Sequence, residues 1–299
     1  MNFPKTCIVI AGPTAVGKTA FAIEIAKTFH TQIISADSRQ CYRELSVGVG
    51  KPTAAQLSEV KHYFINSYSI QQEVHAGLFE QYALAAAEEI FRYNDIAVLV
   101  GGTGLYINAF CDGLDEVPLV LPDVRNGVIT SYKEHGLEWL QQQVMMNDPA
   151  YFNDGEIQNP QRLMRALEVK LSTGRSIRTF HTRQKKTREF SIVKFGLELD
   201  KQILHHQINQ RVDEMMENGL VEEVLRLIPF KHLTALNTVG YKEFFAYLDG
   251  QISLNEATDL VKKNTRLYAK RQMTWFKKDL CIKWIHPHNY AAVKEFIDL

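Results

Sequence analysis

Apolar and polar positions along the chain follow two rhythms. Lys5 to Ala11 is a short apolar run with β-branched Ile8, Val9 and Ile10, the pattern of a strand buried on both faces. From Thr19 to Phe29, residues Phe21, Ala22, Ile25, Ala26 and Phe29 recur at helical spacing. Gln32 to Ala36 reads as a second strand, ending in Asp37-Ser38-Arg39-Gln40. The alanine-rich stretch from Ala76 to Tyr93 favours helix, and Asn94-Asp95 closes it. "IAVLVGGTGLY" then reads as a buried strand broken at Gly101-Gly102. Strands alternating with helices at this spacing predict an α/β fold with a parallel sheet flanked by helices.

The rhythm changes in the middle of the chain. Pro118, Pro122, Pro149 and Pro160 punctuate helical stretches such as Val124 to His135 and Gln161 to Leu171, and strand character returns only at Glu189 to Leu199. This predicts a helical insertion, residues 119–187, in a core made of 1–118 and 188–299. Beyond Asp200 come helices at Ile208 to Met216 and Leu254 to Phe276, a strand at Cys281 to Ile285 and a closing helix at Asn289 to Ile297.

At 299 residues, 45% hydrophobic and 23% charged, the chain is long enough to bury a large core, and disorder as its overall state is excluded. No run reaches the roughly 18 apolar residues of a membrane span, and the first residues lack a leader's cleavage site, so a soluble, cytoplasmic protein is expected. Cys7, Cys41, Cys111 and Cys281 are too scattered for a zinc or redox motif and read as reduced thiols. The net charge is zero but unevenly spread. Gln161 to Lys194 holds ten Lys or Arg against two Glu, and Val261 to Trp284 holds eight against one Asp. Such segregation gives two basic surfaces, either solvated helix faces or contacts for a polyanion.

Gly12-Pro13-Thr14-Ala15-Val16-Gly17-Lys18-Thr19 fits the phosphate-loop pattern G-x-x-x-x-G-K-[ST], after a strand and opening a helix. Its backbone N–H groups cradle a di- or triphosphate, Lys18 supplies charge, and the Thr19 hydroxyl is placed to ligate Mg²⁺. The core is therefore expected to be P-loop NTPase-like. An NTPase motor or switch ends a further strand in a carboxylate, whereas "IAVLVGGTG" ends in glycines and a threonine. Asp37 ends the strand "QIISAD" and comes to the same sheet edge as the loop. There it has three open roles: holding Mg²⁺, removing a proton from an acceptor, or capping the next turn. The loop alone does not distinguish ATP from another diphosphate.

"GPTAVGKT", "ISADSRQCYREL", "VLVGGTGLYI", "LPDVR", "NPQRLMRALEV", "NGLVEEV", "TVGYKEF" and "TRLYAKRQMTWF" stand in the order and spacing of the tRNA dimethylallyltransferases, or tRNA isopentenyltransferases. The chain resembles that family from Cys7 to about Trp284. The resemblance implies transfer of a dimethylallyl group from dimethylallyl diphosphate to N6 of the adenosine 3′ of the tRNA anticodon, with Mg²⁺. The loop's diphosphate is then a leaving group, neither fuel nor transferred phosphoryl. Asp37 matches the family's general base, Thr19 its metal-binding and catalytic threonine, and Arg211 an arginine on the diphosphate. Asp37, Ser38, Arg39 and Gln40 would meet the target adenine. Thr103, Arg125, Gln161, Arg162, Leu163, Met164 and Arg165 would touch the tRNA, with the insertion contacting the anticodon stem-loop. A monomer suffices for this.

The chain departs from the family at Gly48-Val49-Gly50-Lys51-Pro52, usually Gly-Thr-Ala-Lys-Pro, and at His62-Tyr63-Phe64-Ile65-Asn66, often two histidines, two apolar residues and an aspartate. Two other functions share the phosphate loop. An adenylate isopentenyltransferase would prenylate a free nucleotide and have no use for the basic insertion or "QRLMR". A small-molecule kinase would have no need of "GGTGLY" or "KRQMTWF". Tyr268, Trp275, Phe276 and Trp284, interleaved with the C-terminal charges, suit a buried helix stripe better than a stacking platform.

Overall fold

The computed structural model describes residues 5–182 and 184–297. The chain divides into two compact units, Met1–Cys111 with Thr187–Leu299, and Asp112–Lys186. Sequence patterning drew the insertion at 119–187. The second unit starts earlier because the Asp112 carbonyl accepts the Lys186 N–H at 2.8 Å, so its two ends meet there.

Among the described residues, the first unit holds six strands in one sheet: β1 (Thr6–Ala11), β2 (Ile33–Ser35), β3 (His62–Tyr63), β4 (Ile96–Gly101), β5 (Ser191–Leu197) and β6 (Ile282–Ile285). Their order is β3-β2-β4-β1-β5-β6, and every neighbouring pair is parallel. The helices are α1 (Lys18–Thr28), α2 (Ala54–Glu59), α3 (Ala76–Phe91) and α4 (Gly104–Asp112). In the second unit follow α5 (Pro122–Asn147), α6 (Pro149–Asp154) and α7 (Pro160–Thr173). The first unit resumes with α8 (Lys201–Glu217), α9 (Leu220–Arg226), α10 (Lys242–Leu248), α11 (Leu254–Phe276) and α12 (Ala291–Ile297).

Alternate residues of each strand face opposite layers of helices, which is why the strands read as continuous apolar runs. Cys7, Val9, Ala11 and Leu99 pack with Phe79, Ala83, Ile90 and Phe110 of α3 and α4. Ile8, Ile10, Val98 and Val100 pack with Phe21, Ala22, Ile25 and Ala26 of α1. Ile8 and Ile10 are completely buried; each such side chain contributes about 1.5–3 kcal/mol. Register fixes what lies beyond the strands: Ala11 pairs with Gly101 on one side and Gly196 on the other, and Ser35 pairs with Val100. The segments after β1, β2 and β4 therefore leave the sheet at one edge.

"IAVLVGGTGLY" is strand to Gly101, where the glycine break was expected, and its last residues open α4. β3 went unread because two residues carry no periodicity. In the second unit Pro122, Pro149 and Pro160 each sit in the first turn of a helix, where the missing N–H costs nothing. Val128, Leu140, Val144, Leu163, Met164 and Leu167 form that unit's own core.

Candidate active site

The phosphate loop leaves β1 at Gly12, whose φ of +148° is open to glycine, and a Cβ there would come within 2.8 Å of the Leu197 carbonyl oxygen. Ala15 and Gly17 also have positive φ, at 64° and 95°, which turns the loop sharply into α1. The Lys18 ammonium donates to the Pro13 carbonyl at 2.6 Å. The Thr14 N–H donates to Gln272 Oε1 at 2.8 Å, and Gln272 Nε2 donates to the Gly102 carbonyl at 2.8 Å. Gln272, buried on α11, thus ties the phosphate loop to the end of β4.

One cavity of about 410 Å³ is lined by Lys18, Thr19, Asp37, Gln40, Arg211 and Tyr268, among others. Asp37 follows β2 at the same edge. Its Oδ1 accepts the N–H groups of Arg39 at 2.8 Å and Gln40 at 3.2 Å, which caps the turn. Its Oδ2 has no donor among the described residues and stays open for chemistry. Thr103, after β4, accepts the Ser38 N–H at 3.1 Å, and its own N–H donates to the Ala36 carbonyl at 3.3 Å. Gln40 Nε2 donates to the carbonyls of Val49 and Gly50 at 3.4 and 3.1 Å, and Arg211 of α8 donates to the same two at 3.5 and 3.3 Å. Asp37 to Gln40, Thr103 and Arg211 therefore gather around or beside the phosphate loop.

The electrostatics suit an anionic guest. Burial, then the charge of Arg211, lowers Lys18 to about 7, with Asp37 opposing the shift. Burial also pushes Arg211 below its ordinary value, again against Asp37. Two desolvated cations share the cavity, and an anion between them would relieve both. Burial and then the Asp37 charge push Tyr268 up to about 12, and the same two causes push the Cys41 thiol up to about 12. Cys41 is accordingly a protonated packing group. Cys7 and Cys111 are also buried and Cys281 is exposed, and none of the four is in a disulfide.

The remaining expected contacts lie in the second unit. Arg125 is exposed on α5. At the start of α7, Asn159 caps the N–H groups of Gln161 and Arg162, and both side chains are exposed. Arg162 pairs with Glu156 at 3.0 Å in solvent, and Arg165 is partly exposed. Leu163 and Met164 are 0% and 6% exposed. Their side chains belong to the inner stripe of α7 with Ala166 and Leu167, so the expectation that they touch RNA is corrected to a role in the core. Of the four C-terminal aromatics, Phe276 is buried and Trp284 packs against the core, while Tyr268 and Trp275 are 37% and 38% exposed.

Residue-by-residue reading of the sequence assigned no role to Gln272, Glu223 or Tyr241. All three lie in segments that carry the resemblance, "KRQMTWF", "NGLVEEV" and "TVGYKEF", and that was their only signal.

A family model described as IPP transferase matches residues 40–279. The tRNA dimethylallyltransferase 1 of Bacteroides thetaiotaomicron is 42% identical over 294 residues, 98% of this chain and 96% of that one. The full-length tRNA isopentenylpyrophosphate transferase of Bacillus halodurans, a crystal structure, superposes with a TM-score of 0.71 at 32% identity, covering 98% of this chain and 95% of that one. A eukaryotic dimethylallyltransferase captured acting on tRNA gives a TM-score of 0.80 over 98% of this chain and 78% of that one; at 24% identity it speaks for the fold alone. Matched over most of its length by the family model, and alike end to end to a named relative, the chain belongs to the IPP transferase family.

Proposed function

We propose that this protein transfers a dimethylallyl group from dimethylallyl diphosphate to N6 of the adenosine immediately 3′ of the tRNA anticodon, position 37, and releases diphosphate. The observation that carries the reading is that a carboxylate with one open oxygen, Asp37, shares a cavity with the phosphate loop and with Arg211. Its family relatives named for tRNA dimethylallyl transfer support the same chemistry. The enzyme acts as a cytoplasmic monomer, and among the described residues no helix is long and apolar enough to cross a membrane.

Adenine N6 is a poor nucleophile because its lone pair is delocalised into the ring. In the reaction N6 bonds to C1 of the prenyl group as the C1–O bond to diphosphate breaks, and Asp37 takes the N6 proton. The departing diphosphate gains charge that Lys18, Arg211 and the N–H groups opening α1 are arranged to meet. Ser38, held by Thr103, Gln40, held by the 49–50 carbonyls, and Arg39 between them orient the adenine. The base enters from an anticodon loop and is drawn out of its stack. Arg125, Gln161, Arg162 and Arg165 hold the RNA backbone.

The residues present fit Mg²⁺. Among the described residues no group of three or more His, Cys, Asp or Glu could hold a metal. Mg²⁺ commonly relies on substrate phosphates and water with one or two protein oxygens. Here the protein oxygen is the Thr19 hydroxyl, on the cavity wall, which leaves the open Asp37 oxygen to act as base. When bound, the ion would neutralise diphosphate charge.

The test is a transfer assay with labelled dimethylallyl diphosphate and unmodified tRNA, run beside AMP and, separately, labelled ATP. Label in tRNA and not in AMP is the expected result. Label in AMP alone, or phosphoryl transfer from ATP without prenylation, would overturn the reading.

A further inference from the structure

Two segments that the chemistry above leaves unused, "NGLVEEV" and "TVGYKEF", meet in the interior of the first unit. Glu223 of α9 is 3% exposed, and its carboxylate receives four donors. Oε2 accepts the Ser46 N–H at 3.0 Å and the Val47 N–H at 2.8 Å; Oε1 accepts the Gly48 N–H at 3.0 Å and the Tyr241 hydroxyl at 2.7 Å. Tyr241 is fully buried, and its ring lies so close to Gly48 that a Cβ there would meet a ring carbon at 2.7 Å. Among the described residues no lysine or arginine lies within ion-pair distance of Glu223, whose charge acts on Lys51 from further away. A buried carboxylate without a cation in contact is costly unless its hydrogen bonds are complete, and here three backbone N–H groups and the Tyr241 hydroxyl complete them.

The strand of chain so held leads straight to the cavity. After a turn in which the Gly50 N–H donates to the Val47 carbonyl at 2.9 Å, the carbonyls of Val49 and Gly50 receive Gln40 and Arg211. Gly50 has φ +52°, and a Cβ there would stand 1.7 Å from Arg211 Nη2. The guanidinium is thus seated directly on the loop that Glu223 anchors.

We propose that Glu223 is a positioning residue for the diphosphate and adenine sites: it pins Ser46 to Gly48 so that the next two carbonyls seat Arg211 and Gln40. The inference rests on the reading that this cavity takes a prenyl diphosphate. Glu223→Gln keeps the size but turns one acceptor into a donor facing two donors, which releases the loop.

The test compares wild type, Glu223→Gln, Tyr241→Phe and a stability control, Val293→Ala, buried on α12. It reads the Kd of inorganic pyrophosphate, the KM of dimethylallyl diphosphate and amide exchange at Ser46 to Gly48, at temperatures where each variant is folded. Glu223→Gln is expected to raise the pyrophosphate Kd and the KM by about tenfold, the equivalent of one charge-assisted hydrogen bond, and to speed exchange at the three amides. Tyr241→Phe, which keeps the backbone donors, is expected to shift Kd by about threefold, and it carries the test alone if Glu223→Gln does not fold. Equal pyrophosphate Kd values for Glu223→Gln and Val293→Ala, or no shift in Tyr241→Phe, would overturn the proposal. Failure of wild type to transfer the prenyl group would overturn the assigned reaction instead, and the pyrophosphate ratio would still decide the anchor.

Discussion

Asp37 shows how one side chain can serve both structure and chemistry. Its Oδ1 caps the turn through Arg39 and Gln40, so two of the three readings left open by the sequence, turn cap and proton acceptor, fall on different oxygens. Asp37→Asn, which keeps the Oδ1 cap but not the base, is expected to lower kcat by roughly two to four powers of ten while leaving the tRNA Kd largely intact. Equal loss in both would remove its role as base. Lys18 carries a pH signature. Because burial and Arg211 hold it at about 7, the free amine is largely neutral at higher pH, and a bound diphosphate favours its charged form. Diphosphate affinity should therefore fall as pH rises through about 7, with uptake of about one proton at about pH 8, measurable by calorimetry in buffers of different ionisation enthalpy. No uptake would mean that Lys18 is already charged. The phosphate loop and Asp37 were legible because each needs particular residue types beside a strand end. Gln272 and Glu223 were not, since a buried Gln or Glu is recognised only by the backbone groups it meets, and those lie 258 and about 176 residues away in the chain.

Among the elements, those with long apolar periodicity were readable and those defined by tertiary contact were not. β1, β4, α1, α3 and α11 announce themselves, whereas β3 exists because β2 offers it an edge. The glycines of "GGTG" read as a break in a strand, and there β4 gives way to α4. The far end of α4 depends on Arg188, the residue after the chain re-enters the first unit. Arg188 donates to the carbonyls of Phe110 and Ala109 and to Glu80, each at 2.8 Å, with both ion-pair side chains nearly buried. Replacing Arg188 by alanine would orphan two helix-terminal carbonyls and a carboxylate, so unfolding in urea should show a loss of about 3–5 kcal/mol. A loss under about 1 kcal/mol, as for an exposed pair, would contradict that account.

At the scale of the molecule, most of the first basic segment falls in the second unit, while its last members, Arg188 and Lys194, lie in the first and pair with Glu80 and Asp279. The insertion's basic residues sit mostly on solvent-facing positions such as Gln161's neighbours Arg162 and Arg165, while Leu163 and Met164 between them hold the unit together. Sequence could not sort these four because a helix alternates its faces within one turn. Replacing both Arg162 and Arg165 by alanine should weaken tRNA binding and lower the slope of log affinity against log salt by about one to two, leaving pyrophosphate binding unchanged. An unaltered slope would make α7 an ordinary solvated helix. The meeting of Asp112 and Lys186 has a kinetic consequence. While residues 112–186 are unfolded, they form a long loop whose closure costs the core roughly 4 kcal/mol of chain entropy before α4 and β5 can approach. Once the three helices of that module have packed, its ends stand one hydrogen bond apart and most of that entropy has already been surrendered. The insertion, built from local contacts, then acts as a clasp that shortens the search by which the parallel sheet is closed.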